Sequence, residues 1–216
     1  MLGGEEISEI YCISLSIIKL KNRLWMYLSM QVLERKREEI EAKANTMSDF
    51  LKMEYFESCI KIIPDINISK YCYKKLSELY EKKIMYPEAA KYIAKFRELC
   101  VGFNEKIAAT VKEAELLFKA GQYDPADYMF KKAMGLSDEA GKFEIKRNMV
   151  ALYKQEAANF EKSNRSTAAL KIYEKLVHFV SDAERNEVRK RMLDIYQKLG
   201  KIKEYIRLKS DLDKFG

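Results

Sequence analysis

Turn-forming residues are scarce in this chain, with 8 Gly and 3 Pro in 216 residues. Such a composition leaves room for helices joined by short turns and for little else, and it excludes a Pro- and Gly-rich disordered chain. Histidine is scarcer still: His178 is the only one. The four cysteines, Cys12, Cys59, Cys72 and Cys100, lie 47, 13 and 28 residues apart and form no Cys-x-x-Cys pair. With one imidazole available, they do not make a tetrahedral zinc site; they read as reduced, mostly buried thiols of a cytoplasmic protein, and no metal or cofactor is expected.

Enzyme signatures are missing as well. There is no phosphate-binding Gly-rich loop after a strand, no Gly-x-Ser-x-Gly and no His-Glu-x-x-His. His178 stands between Val177 and Phe179 and is expected on a packing helix, as a core or edge residue. The carboxylate pairs Asp211/Asp213 and Glu113/Glu115 read as exposed helix faces. No catalytic residue is assigned, and the protein is expected not to be an enzyme.

Long hydrophobic runs are also lacking. The most apolar stretch, residues 10–33, has Lys19, Lys21 and Arg23 at its middle and only ten charge-free residues in its longest piece, Leu24–Leu33. A membrane span needs about 20 apolar residues, and each central cation would cost roughly 2.5–3.5 kcal/mol. Glu5 and Glu6 replace the basic start of a secretory signal. Residues 1–63 are therefore expected to form apolar N-terminal helices that pack on or cap the helices of residues 64–216. Residues 10–33 are the candidate for a homo-oligomer contact.

A repeat is present. The clearest copy runs from Ala114 through Gly121, Tyr123 and Ala126 to Phe130 and Ala133, a helix, a Gly-centred turn and a second helix. Aligning the small residue of the second helix places the copies at Ala89, Ala126, Ala169 and, less faithfully, Tyr205, with spacings of 37, 43 and 36 residues. Nine residues earlier stand Tyr80, Leu117, Phe160 and Tyr196. Four residues later come Ile93, Phe130, Tyr173 and Lys209, and three further on Phe96, Ala133, Leu176 and Leu212. That i, i+4, i+7 stripe is a buried helix face, broken only in the last copy.

On these residues the chain, over roughly 69–216, resembles the tetratricopeptide-repeat family. Ile84 and Asn164 replace the turn Gly in two copies, and no copy has both the Trp that opens the first helix and the closing Pro. The resemblance implies an all-α, right-handed α-solenoid of antiparallel helix pairs, ten or eleven helices in all, with about four repeats over residues 64–216. Local signals set boundaries: Pro64 ends a helix and opens an Asp65–Ile68 loop, Pro87 suits a helix start, Asp124–Pro125 supplies a cap and first turn, and Ser181–Glu184 is a capping box. The longer spacing before Ala169 implies an extended first helix at about Asp138–Lys162.

The basic excess belongs to the repeats. Residues 1–63 hold 9 Lys/Arg against 10 Asp/Glu, residues 64–136 hold 13 against 10, and residues 137–216 hold 18 against 13. Two lysine rows stand out. Lys82, Lys119, Lys162 and Lys198 end the first helices, where the helix dipole favours a cation by about 0.3–1 kcal/mol. Eight positions earlier come Lys74, Val111, Lys154 and Lys190, which the resemblance places in a groove lined by the first helices. These seven lysines are the candidate partner-binding residues, for an acidic protein segment. The family's best-known ligand, an acidic chaperone C-terminus, is not expected, because Glu78, Glu115, Ala158 and Asp194 occupy the clamp-Asn position. The expected function is a cytoplasmic scaffold or adaptor. The alternatives are RNA binding through the basic C-terminal half and an assembly subunit docking by its N-terminal helices.

Overall fold

The structure, a computed structural model, describes residues 32–215. Residues 10–31 and Cys12, on which the expected oligomer contact falls, lie outside the described residues. Ten helices occur among the described residues: α1 (Arg37–Asn45), α2 (Asp49–Ile62), α3 (Ile66–Lys82), α4 (Tyr86–Glu98), α5 (Phe103–Lys119), α6 (Tyr123–Leu136), α7 (Glu139–Lys162), α8 (Ser166–Leu176), α9 (Asp182–Lys198) and α10 (Ile202–Phe215). Helix accounts for 81% of them, and no strand occurs among them. None of these helices is long and apolar enough to cross a membrane.

Four helix pairs, α3/α4, α5/α6, α7/α8 and α9/α10, reproduce the repeat. Their turns put Ile84 (φ 63°), Gly121 (φ 75°), Asn164 (φ 57°) and Gly200 (φ 66°) in the left-handed region. These positions carry the same spacings as the aligned small residues, so the backbone repeats even where the residue is not Gly. Left-handed backbone costs an L-residue roughly 1–2 kcal/mol, least for Asn, and Ile84 bears that strain with a β-branched side chain.

The expected stripe is buried in the first three pairs: Ala89, Ile93 and Phe96; Ala126, Phe130 and Ala133; Ala169, Tyr173 and Leu176. In the last pair Tyr205 and Leu212 are half-buried and Lys209 is exposed. A second small row lies on the first helices, at Ser77, Ala114 and Ala157, all buried. Ser77 Oγ donates to the Ala89 carbonyl at 2.9 Å across the first pair, a contact that only small side chains permit.

The chain forms two compact parts that meet within α6, one ending at Ala126 and the other beginning at Asp127. In the first, α1 and α2 pack onto α3, and one core runs from Val32 and Ile40 through Tyr55, Phe56 and Cys59 to Cys72 and Leu76, on both sides of residue 63. Cys59, Cys72 and Cys100 are free and buried. A second core joins α4 and α5 through Ala90, Phe96, Ala109 and Leu116. In the second part α7 packs on α8, α8 on α9 and α9 on α10.

The Ser181 capping box forms, and α7 begins beyond Asp138, whose carboxylate accepts from Gly141 N at 2.8 Å. A Cβ on Gly141 would lie 3.0 Å from that carboxylate, which accounts for Gly in the first turn of a helix. Two expected boundaries and one expected placement are corrected. Asp65 is an N-cap, accepting from Asn67 N at 2.7 Å, so α3 starts at Ile66 and leaves no loop to Ile68. Tyr123 opens α6, two residues before Pro125, with Ala126 N already bonded to the Gln122 carbonyl. His178 is exposed in the turn after α8, not on a packing helix.

Candidate partner-binding clefts

Where a first helix, its paired second helix and the next first helix meet, the surface opens into a cleft. In the first repeat Lys74, Ser77, Glu78 and Glu81 of α3 form one wall, Glu105, Ala108, Ala109 and Lys112 of α5 form the other, and Ile93 and Phe96 of α4 make the floor; the volume is about 290 Å³. The C-terminal part repeats it at about 170 Å³, with Lys154 and Ala158 of α7, Tyr173 and Leu176 of α8, and Glu184, Glu187, Val188 and Arg191 of α9. Each of these eight residues is the repeat equivalent of one lining the first cleft. A third cleft, about 250 Å³, lies among α1, α2 and α3, and Lys75, Glu78 and Lys82 of α3 line it.

Ion pairs brace the walls at equivalent places. Glu81 takes Lys112 at 2.8 Å and Lys119 at 2.9 Å, and its counterpart Glu161 takes Arg191 at 3.5 Å. Lys70 meets Glu105 at 2.5 Å, and Lys154 meets Glu184 at 2.5 Å. Burial pushes the Glu81 carboxyl up, but hydrogen bonds from Lys112 and Lys119 outweigh it and hold the group below the usual carboxylate range. The Lys70 and Lys154 ammonium groups hold Glu105 and Glu184 low in the same way. Burial in the second cleft, then the bond donated to Glu161, pushes the Tyr173 hydroxyl up to about 12.

All seven candidate lysines are exposed. Lys74 and Lys154 line equivalent clefts, and Lys82 lines the cleft among the first three helices. Lys82 also pairs with Asp49 at 3.0 Å, and Lys119 and Lys154 have the partners above, so these three cations serve the fold as well as the surface. Lys119, Lys162, Lys190 and Lys198 line none of these clefts. A row one residue along was missed: Lys75, Lys112, Gln155 and Arg191, of which the three cations all line clefts. Neighbouring residues on a helix point about 100° apart, so side-chain placement decides which members of two adjacent basic rows reach a cleft.

Glu113 corrects its reading as an exposed face. It is buried between α4 and α5, where Arg97 Nε donates to its Oε2 at 2.7 Å, with side-chain exposures of 13% and 11%. Tyr153, Tyr173 and Tyr196 are buried, and Tyr80 stacks on Tyr92, centroids 5.2 Å apart. No group of three or more His, Cys, Asp and Glu placed to hold a metal occurs among the described residues.

No protein-family model matches the chain, and no curated protein matches its sequence. Solved structures similar to it include BtubC (BKLC) from P. vanneervenii, at 9% identity and a TM-score of 0.37, covering 82% of this chain and 78% of that one. A putative kinesin light chain from Podosopora anserina with nearly identical TPR-like repeats is 12% identical at a TM-score of 0.35, covering 82% and 91%. Superposition this loose leaves the repeat assignment to the chain's own turns, buried stripes and matched clefts. On those it is an all-α protein of tetratricopeptide-like helix pairs.

Proposed function

We propose that this protein is a non-enzymatic, cytoplasmic scaffold or adaptor that holds a segment of a partner protein against the first-helix face of its repeats. The recurrence of one cleft, eight residues matched, at the same repeat positions in both compact parts supports this reading. A stack that needed only to be stable would fill such sites with side chains; here the walls are propped by ion pairs and the space between them is open. Lys74, exposed at the lip of the first cleft and in no ion pair among the described residues, favours a segment carrying carboxylates.

Two double variants test it. Lys74→Glu with Lys154→Glu reverses charge at two clefts, whereas Lys162→Glu with Lys198→Glu reverses exposed charges outside them. Stability is expected to stay within about 1 kcal/mol in both, because exposed charges contribute little to folding. Cross-linking in cell extract followed by mass spectrometry should recover the partner with the second variant and not with the first. Equal recovery with both would move attention to residues 10–33. Steep loss of the captured partner with added salt would indicate nucleic acid instead.

A further inference from the structure

The clefts of repeats one and three differ in lining and in size. Glu187 and Val188 of α9 stand where α5 has Ala108 and Ala109, Tyr173 stands where α4 has Ile93, and the volume falls from about 290 to about 170 Å³. In the first repeat the two alanines leave open a socket floored by Ile93 and Phe96, with room for one large apolar side chain. The acids around the socket are occupied: Glu81 by Lys112 and Lys119, Glu105 by Lys70, and Glu78 by Lys75 at 3.5 Å. Lys74, exposed at the lip, is in no ion pair among the described residues.

Building on the groove reading above, we propose that the first-repeat cleft is an anchor site for a partner peptide with one large apolar residue and an Asp or Glu within two positions of it. The apolar side chain fills the socket over Ile93 and Phe96, removing apolar surface from water on both sides. The carboxylate pairs with Lys74, the lip cation left over once the wall acids are matched. A basic residue at that place would meet Lys74 uncompensated and be rejected.

The test is a selection of random peptides on the full chain. The enriched sequences are expected to share the apolar–acid pair. Ala108→Leu fills the socket from an exposed position, so it should weaken their binding by about tenfold or more, a loss of roughly 1.4 kcal/mol, with the fold unchanged by circular dichroism. Lys74→Glu should turn the acidic preference into a basic one. Enriched peptides that lack an apolar anchor, or that ignore Ala108→Leu, overturn the anchor; if they are still lost with Lys154→Glu, the groove reading survives it. Absence of any enriched peptide overturns both. A dimer of the free chain that Ala108→Leu dissociates, or displacement of selected peptides by a synthetic peptide of residues 10–31, would make the occupant this chain itself and overturn a partner peptide.

Discussion

Ile84 holds the first turn in a conformation that its β-branched side chain resists, with the side chain 72% exposed and φ at 63°. The equivalent turns use Gly twice and Asn once, residues that take this backbone at lower cost. No burial of Ile84 offsets the strain. Ile84→Gly is therefore expected to stabilise the protein by about 1 kcal/mol, the relief of left-handed strain less the greater chain entropy of glycine. Chemical denaturation reads this as a raised midpoint, and a lowered midpoint would mean that the exposed side chain has a packing role. At the same scale, the Glu113–Arg97 pair shows what residue type alone conceals: a glutamate looks like surface until the arginine sixteen residues away is folded over it.

Within a helix pair the close contact is made by two rows of small residues, of which the sequence displays one clearly. Ala126 is fully buried in its row. Ala126→Leu should overpack the contact at a cost of about 1–3 kcal/mol and lower the denaturation midpoint; an unmoved midpoint would refute the register. Tyr205, half-buried at the equivalent place, should accept Phe with little change. Helix α7, Glu139–Lys162, follows the sequence closely, because the 43-residue spacing before Ala169 already called for a long first helix. The start of α3 does not. Pro64 marked the break correctly, yet whether Asp65 belonged to a loop or capped the next helix depended on its carboxylate reaching Asn67 N and Ile68 N.

Across the whole molecule, packing of one helix on the next is accompanied by carboxylates held in their charged form. Burial pushes the Glu34 and Glu81 carboxyls up, and hydrogen bonds outweigh it, from a backbone N–H, Tyr55 and Lys43 for Glu34 and from Lys112 and Lys119 for Glu81. Groups whose folded values lie below the free value of 4.5 contribute stability that is present above that pH and lost as pH falls through the folded value. Stability is therefore expected to hold from neutral pH down to about 4.5 and to decline below it, with Glu81→Gln shallowing the decline. A midpoint indifferent to acid would show that these pairs are solvated and inert. What the amino-acid order determined by itself was an all-helical fold, the spacing of the repeats, the buried i, i+4, i+7 stripe and the turn positions, since helix faces and turns are written within a few residues of one another. Tertiary structure decided which members of two adjacent basic rows reach the clefts, which acids brace their walls, and that Ala108 and Ala109 leave a wider cleft than Glu187 and Val188 do, because those facts arise between helices some thirty residues apart.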